Sequence, residues 1–238
     1  MRKLLLILLC LPMIFSCGEK DKIKKLDDRI AELENEKENK DKESFSKKVT
    51  VIMESATKSN LETTISAHQK AREKEAQAEL FMAELYFQKD SFNFALNGDG
   101  QNLGFVYIAA EYSLTKAGAL ANYYAGLSYL NTGDFKNAIE YLGDFSSDDV
   151  LLSALALGCI GDAYYELADT DNALSYYEDA AEKNVNDFIT PRYMFKQAMI
   201  HEKNGDFADA LALYKAIEAD YKTSREGNGI EKYIQRIE

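Results

Sequence analysis

Residues 125–142 read AGLSYLNTGDFKNAIEYL, and two later stretches of the same length repeat their pattern. Residues 160–177 read IGDAYYELADTDNALSYY, and residues 197–214 read QAMIHEKNGDFADALALY. The same position in the second half of each stretch holds an alanine: Ala138, Ala173 and Ala210. These alanines are 35 and 37 residues apart. A period of this length is typical of stacked helical repeats, in which each unit is a pair of helices.

Each recurring residue type has a physical role in such a helix pair. A small residue occupies the second position, where only a short side chain lets two helices approach closely: Gly126, Gly161 and Ala198. Gly133-Asp134 and Gly205-Asp206 are suited to the turn, because glycine adopts backbone conformations that are costly for other residues. The middle stretch has Ala168-Asp169 instead, which predicts a turn of different construction.

This pattern resembles the tetratricopeptide repeat family over about residues 78–238. The resemblance implies an all-α fold, a TPR-type α-solenoid of about four helix pairs with a C-terminal capping helix, preceded by a helical stalk. A degenerate first unit holds Ala83, Tyr86, Phe92 and Ala95.

The first unit and the end of the array depart from a regular repeat. Ala95 and Ala138 are 43 residues apart, more than one repeat, which predicts an insertion near residues 97–118. A helix at roughly 103–112 within it is expected to pack Phe105, Ile108 and Ala109 on the array. A final helix at about 225–237 has the pattern of a cap.

The first 16 residues have the pattern of a secretory signal. Arg2 and Lys3 precede an apolar run over residues 4–15, which is too short to cross a membrane. The sequence Ile14-Phe15-Ser16-Cys17 resembles a bacterial lipobox, and in that family a peptidase cuts before the cysteine, which is then lipidated. The resemblance implies a signal peptide at 1–16 and lipidation of Cys17. An ordinary signal, cut near Ser16 or Gly18, is the alternative.

Residues 17–77 are predicted to form a charged helical stalk. Apolar residues recur there at spacings of three and four, which indicates two heptads of a possible coiled coil: Ile23, Leu26, Ile30 and Leu33. Lys37 and Lys40 then interrupt the seam, so a solvated helix with neighbouring opposite charges is the alternative. After removal of the signal, Cys159 would be the one unmodified cysteine, and its apolar surroundings predict a buried, unreactive thiol.

Charge and residue types exclude several classes of function. Residues 78–238 hold 12 Lys and Arg against 26 Asp and Glu, a net charge of −14, so the array is not expected to bind nucleic acid or an anionic membrane unaided. The two histidines, His68 and His201, lack further ligands at metal-site spacing. Asn97-Gly98-Asp99-Gly100 is similar to the start of a calcium loop, but the twelfth position is Ile108 instead of a carboxylate. We therefore predict no metal, no cofactor and no catalytic site.

The concave face of the array is the predicted partner-binding surface. In the tetratricopeptide repeat family, first-helix positions beside the small residue point inward, and that resemblance implies the following set: Tyr123, Leu127, Asn131, Asp162, Tyr165, Glu166, Arg192, Phe195, Met199 and Glu202. Family members that bind a chaperone's terminal carboxylate use several Lys, Arg and Asn here, and most of these are absent. A partner with apolar anchors and some positive charge fits better. The alternative is that several of these residues pack on the next unit.

Together these features predict a non-enzymatic scaffold, anchored by lipid in a bacterial envelope. Its partners are expected to be proteins or peptides of secretion or envelope assembly, with the outer membrane, facing the periplasm, as its location. Within the family the chain is most similar to ancillary translocon subunits, cell-division coordinators and outer-membrane assembly lipoproteins. The alternative is a structural protein that self-assembles through the N-terminal coiled coil, as cell-division coordinators do.

Overall fold

The computed structural model describes residues 24, 25, 28 and 42–238. The signal at 1–16, Cys17 and the four predicted coiled-coil seam residues lie outside the described residues. Residues 42–238 contain helices and turns without a strand, which confirms the all-α fold. The helices are α1 (Lys42–Gln88), α2 (Phe92–Asn97), α3 (Phe105–Glu111), α4 (Lys116–Thr132), α5 (Phe135–Gly143), α6 (Val150–Glu166), α7 (Thr170–Lys183), α8 (Thr190–Asn204), α9 (Phe207–Asp220) and α10 (Glu231–Ile237). In this described part, none of the helices has both the length and the apolar character needed to cross a membrane.

The chain divides into two units, Met1–Ala67 and His68–Glu238. The described part of the first unit is helical, and α1 there exposes four apolar side chains: Val51, Ile52, Leu61 and Ile65.

The second unit begins at His68, and residues of α1 before 78 contact α3 and α4. The Arg72 guanidinium donates to the carbonyl and the carboxylate of Glu111, at 2.7 and 2.8 Å. The Glu73 carboxylate accepts from the backbone N–H of Lys116, at 2.7 Å, and so binds the first turn of α4. Ala76 and Leu80 are buried in the same core cluster as α3 and α4.

The second unit is a stack of helix pairs. Helices α4 and α5, α6 and α7, and α8 and α9 pack as pairs, and successive pairs contact each other through α5–α6 and α7–α8. The degenerate first pair consists of α1 and the short α2, with Ala83 and Ala95 fully buried. The predicted insertion forms α3, which buries Phe105, Ile108 and Ala109 as expected.

Glycines occupy the closest approaches between helices. A Cβ added at Gly126 would lie 2.5 Å from Cγ of Leu142, and one at Gly161 would lie 2.7 Å from Cδ1 of Tyr177. Either separation is too short for two carbons, so the small residue is required for helix packing. These contacts confirm the role predicted for both glycines.

The prediction of a different turn at Ala168-Asp169 is wrong. The backbone of this turn matches that of the two glycine turns. The φ angles are 82° at Gly133, 61° at Ala168 and 88° at Gly205. The N–H of Ala168 donates to the carbonyl of Tyr165, and the next N–H donates to that of Tyr164, as in the other two turns. Tertiary packing of α6 on α7 therefore holds an alanine in the left-handed region, at a cost of roughly 1–2 kcal/mol.

The C-terminal capping helix is shorter than predicted, because α10 begins at Glu231. Residues 221–230 form turns, and two glycines explain why. Gly229 has a φ of 80°, and a Cβ at Gly227 would lie 2.1 Å from the carbonyl oxygen of Tyr221. The cap still completes the core, since Ile230 is fully buried and Ile234 nearly so.

Candidate functional site

A hollow of about 840 Å³ opens between the first helices of the three complete pairs. We call it the groove hollow. Six of the ten residues predicted for the concave face line it: Asn131, Asp162, Tyr165, Glu166, Phe195 and Met199. Seven further residues complete its wall: Leu130, Thr132, Gly133, Phe135, Tyr177, Lys196 and Ile200. Its wall combines apolar and aromatic side chains with few charges, as is usual for ligand pockets of this size.

A polar cluster lies in the wall of the groove hollow, around the Asp162 carboxylate. The hydroxyl of Tyr177 donates to Asp162 Oδ1 at 2.6 Å, and Nζ of Lys196 donates to the same oxygen. The ammonium of Lys196 also lies over the ring of Tyr177, 5.3 Å from its centroid. Burial and the Asp162 charge raise the pKa of Tyr177, which keeps its hydroxyl protonated and able to donate. The Asp162 charge is therefore compensated within the chain.

The rim of the groove hollow presents apolar surface next to one unpaired acid. Met199 is 42% exposed and Tyr165 is 36% exposed. Nζ of Lys203 contacts the Tyr165 hydroxyl at 3.2 Å and lies 4.8 Å from the ring centroid, so Tyr165 is held in place. Glu166 is exposed and has no ion pair among the described residues.

Tyr123, Leu127 and Glu202 are outside the groove hollow. Tyr123 is only 8% exposed and its ring lies 5.1 Å from that of Phe145, so it packs in the core and offers no surface to a partner. Leu127 packs against the same core cluster. These two follow the alternative raised from the sequence, that such residues pack on the neighbouring unit.

Glu202 stabilises the end of the array. Its carboxylate accepts from the Tyr214 hydroxyl at 3.0 Å and from the Arg236 guanidinium at 2.7 Å. The carboxylate therefore links α8, α9 and α10, with one of its two oxygens, Oε2, accepting both hydrogen bonds.

A second hollow, of about 510 Å³, lies between α8 and the segment before α10. We call it the basic hollow. It shares Phe195 and Lys196 with the groove hollow, and Arg192, the last of the ten predicted residues, lines it. The remaining lining residues are Arg225, Glu226, Asn228, Lys232 and Tyr233.

Sequence reasoning missed Lys196 and Tyr177, although one signal for Lys196 was available. Asp162 and Lys196 carry opposite charges on successive first helices, 34 residues apart, which is close to one repeat. Opposite charges at repeat spacing indicate an ion pair between neighbouring units. Tyr177 lies on a second helix, α7, whereas the predicted set was drawn from first-helix positions.

No group of three or more His, Cys, Asp or Glu side chains is placed to hold a metal in the described part of the chain. At the predicted turn, the Asp99 carboxylate accepts from the backbone N–H groups of Gln101 and Asn102 and from the hydroxyl of Tyr86. These donors lower the pKa of Asp99 well below its usual range. The chain's own groups thus occupy the carboxylate that a cation would need.

Two family models, each described as tetratricopeptide repeat, match the chain at residues 120–148 and 160–224. The first match covers most of α4 and all of α5, and the second runs from the middle of α6 past the end of α9. No curated protein matches the chain. The matches support the resemblance and include part of each of the three units whose first helices form the groove hollow.

Proposed function

We propose that this chain, whose residues 120–148 and 160–224 match tetratricopeptide repeat models, is a lipid-anchored scaffold of a bacterial envelope that binds a segment of a partner protein. Such repeats suggest a protein–protein interaction scaffold, and proteins built from them are generally not enzymes. The location in a bacterial envelope and the lipid anchor are the more specific parts of the proposal.

The groove hollow is the observation that carries the binding proposal. Its volume, in the range of pockets that hold drug-sized ligands, suits several side chains of a polypeptide, and its apolar lining would remove them from water. Burying one leucine or phenylalanine contributes about 1.5–3 kcal/mol. Asp162 is already paired with Lys196, so among the charged residues that line the groove hollow Glu166 is the one without an ion pair in the described part of the chain. A partner segment with an apolar anchor and a basic residue beside it fits this rim.

Affinity capture with the anchor intact tests the binding proposal. Met199→Glu places a charge at the exposed rim of the groove hollow, whereas Phe207→Glu places one on an apolar residue outside it that is somewhat more exposed. We expect both variants to fold, and we expect only Met199→Glu to lose the partner that the unchanged chain captures from envelope membranes. Equal capture by the two variants would refute a role for the groove hollow.

The anchor proposal rests on the sequence of residues 1–17 and is tested separately. Globomycin blocks the lipoprotein signal peptidase, so treated cells should accumulate the uncleaved precursor. Cys17→Ser should abolish incorporation of radiolabelled palmitate, while Cys159→Ser should leave it unchanged. Cleavage of the signal that continues unchanged in globomycin-treated cells would contradict the lipid anchor.

Self-assembly is a second candidate, favoured by the exposed apolar side chains on the first part of α1. Val51 is 64% exposed and Leu61 is 59% exposed, and a helix with such a face can pair with another copy. Sedimentation equilibrium of the chain starting at Gly18 tests this candidate. A dimer that dissociates on Leu61→Lys would support it, and a monomer at tens of micromolar would exclude it.

A further inference from the structure

Charge is distributed unevenly along the repeat array. Residues 78–187 hold 4 basic and 18 acidic residues, a net charge of −14. Residues 188–238 hold 8 basic and 8 acidic residues, so their net charge is zero. Most of the basic residues of an acidic array are thus confined to its last helices, where the basic hollow lies.

Four of these basic residues line the basic hollow, and three of them are without an acidic partner. Lys196 is paired with Asp162. In the described part of the chain, no carboxylate lies within 4.0 Å of the charged groups of Arg192, Arg225 or Lys232. The neighbouring Arg236 and Lys215 show the contrast, since each forms an ion pair with a glutamate, at 2.7 and 2.6 Å.

Two of the unpaired groups are placed by contacts that leave their charges available. Arg192 lies 5.7 Å from the ring centroid of Phe188, and Lys232 lies 4.8 Å from that of Tyr233. Aromatic faces attract cations without neutralising them. Glu226 is the one acidic residue of the lining, so the hollow stays positive after the Asp162–Lys196 pair is counted. Like charges gathered around one hollow repel one another, and an anion between them would relieve that repulsion.

The basic hollow is adjacent to the groove hollow, because Phe195 and Lys196 line both. A partner segment seated in the groove hollow would therefore extend into the basic hollow within a few residues. The volume of the basic hollow, about 510 Å³, and its aromatic side chains, Phe195 and Tyr233, suit an extended polypeptide better than a single small ion.

We propose that the basic hollow binds acidic side chains of the same partner segment whose apolar residue occupies the groove hollow. This inference rests on the proposed function and adds chemistry and direction to it. The segment lies with its apolar anchor between α6 and α8 and its acidic residues between α8 and residues 225–233. Charge complementarity then sets the direction in which the partner binds.

Fluorescence anisotropy with designed peptides tests this proposal on the full chain in detergent. The probe is a fluorescein-labelled peptide in which a leucine precedes a run of glutamates, and its control has glutamines in their place. We expect the glutamate peptide to bind about tenfold more tightly, with an affinity that falls as salt is added. Equal affinities, or no binding of the glutamate peptide, would overturn the proposal.

Two charge-matched triple variants separate the basic hollow from general electrostatics. The first carries Arg192→Gln, Arg225→Gln and Lys232→Gln. The second carries Lys136→Gln, Lys183→Gln and Lys222→Gln, exposed residues that do not line either hollow. Only the first triple variant should bind the glutamate peptide more weakly, by about tenfold or more. The double variant Arg225→Gln/Lys232→Gln, at exposed positions, gives the same test if the half-buried Arg192 proves necessary for folding.

Two further outcomes distinguish this proposal from its alternatives. The chain could instead bind vesicles of phosphatidylcholine and phosphatidylglycerol through Arg192, Arg225 and Lys232 and fail to bind the peptide. An anionic lipid surface would then be the ligand, and the proposal would be overturned. If Met199→Glu abolishes capture of the partner while the first triple variant captures it fully, the groove proposal stands and the acidic-segment proposal fails.

Discussion

Replacing Ala168 with glycine should stabilise the repeat array. Ala168 has a φ of 61° in the turn between α6 and α7 and is exposed, so its methyl group contributes little packing. Gly133 and Gly205 occupy the same backbone conformation in the neighbouring turns, and Ala168→Gly makes the middle turn identical to them.

The size of the effect follows from two opposing terms. The left-handed conformation costs a residue with a Cβ about 1–2 kcal/mol, and glycine avoids this cost. Glycine in turn raises the conformational entropy of the unfolded chain, which offsets about 0.4–1 kcal/mol. The net expectation is a gain of about 0.5–1 kcal/mol in the free energy of unfolding. With a urea m-value of about 2 kcal/mol/M, the midpoint should rise by about 0.3–0.5 M.

Urea unfolding of the chain starting at Gly18 measures this change. The chain lacks tryptophan and holds 15 tyrosines, so tyrosine fluorescence and far-UV circular dichroism serve as two probes. The reciprocal variants are Gly133→Ala and Gly205→Ala, where an added Cβ meets no heavy atom within 4 Å. Each should lower the midpoint by a similar amount through the backbone alone.

The midpoints of these three variants together test whether the turn at Ala168 is strained. A midpoint that falls on Ala168→Gly, or one that stays unchanged while Gly133→Ala and Gly205→Ala destabilise, would show that the middle turn is not strained in the protein. The claim that the positive φ angle of Ala168 lowers the stability of the array would then be refuted.

Three more changes test the packing, the thiol and the groove. Gly158→Ala should destabilise the array by about 1–3 kcal/mol in urea unfolding, because the new Cβ would lie 1.9 Å from Cζ of Tyr193, whereas Gly143→Ala, in open space, should not. Burial raises the pKa of Cys159 to about 11, so the folded thiol should react with iodoacetamide far more slowly at pH 8 than the urea-unfolded one. The thiol ionises at lower pH in the unfolded chain than in the folded one, so its contribution to the free energy of unfolding should fall by about 2–3 kcal/mol between pH 9 and 11. The variant Cys159→Ala should not show this contribution. Tyr177→Phe should cost about 1–2 kcal/mol in thermal unfolding, since it removes the hydrogen bond to the Asp162 carboxylate, and an unchanged midpoint would contradict that bond.

The sequence predicted the features that depend on local steric requirements. Gly126 and Gly161 stand where two helices touch, and that requirement produces a recurring small residue that can be read directly. The same is true of α3, whose buried Phe105 and Ile108 have helical spacing. Gly158 was missed although its contact with Tyr193 is the closest of the three, because its equivalents in the other units are not small and no repeat pattern marks it.

Features that depend on the balance between local preference and tertiary packing could not be predicted. Ala168 favours a different turn locally, and the packing of α6 on α7 overrides that preference. Tyr123 occupies an inward position by its place in the repeat, but the size of its ring lets it reach the core beside Phe145. The basic hollow joins Arg192 with Arg225 and Lys232, which are separated in sequence and meet only after the last turn folds.

The central claim is that a partner polypeptide occupies the groove hollow, and photo-crosslinking in cells measures this most directly. A benzophenone side chain is placed at Tyr165, on the rim of the groove hollow, and at Val185, an exposed residue outside it. The account predicts a small set of envelope-protein adducts at Tyr165 that are missing at Val185 and disappear when Met199→Glu is added. Adducts that are the same at both positions, or that persist with Met199→Glu, would contradict it.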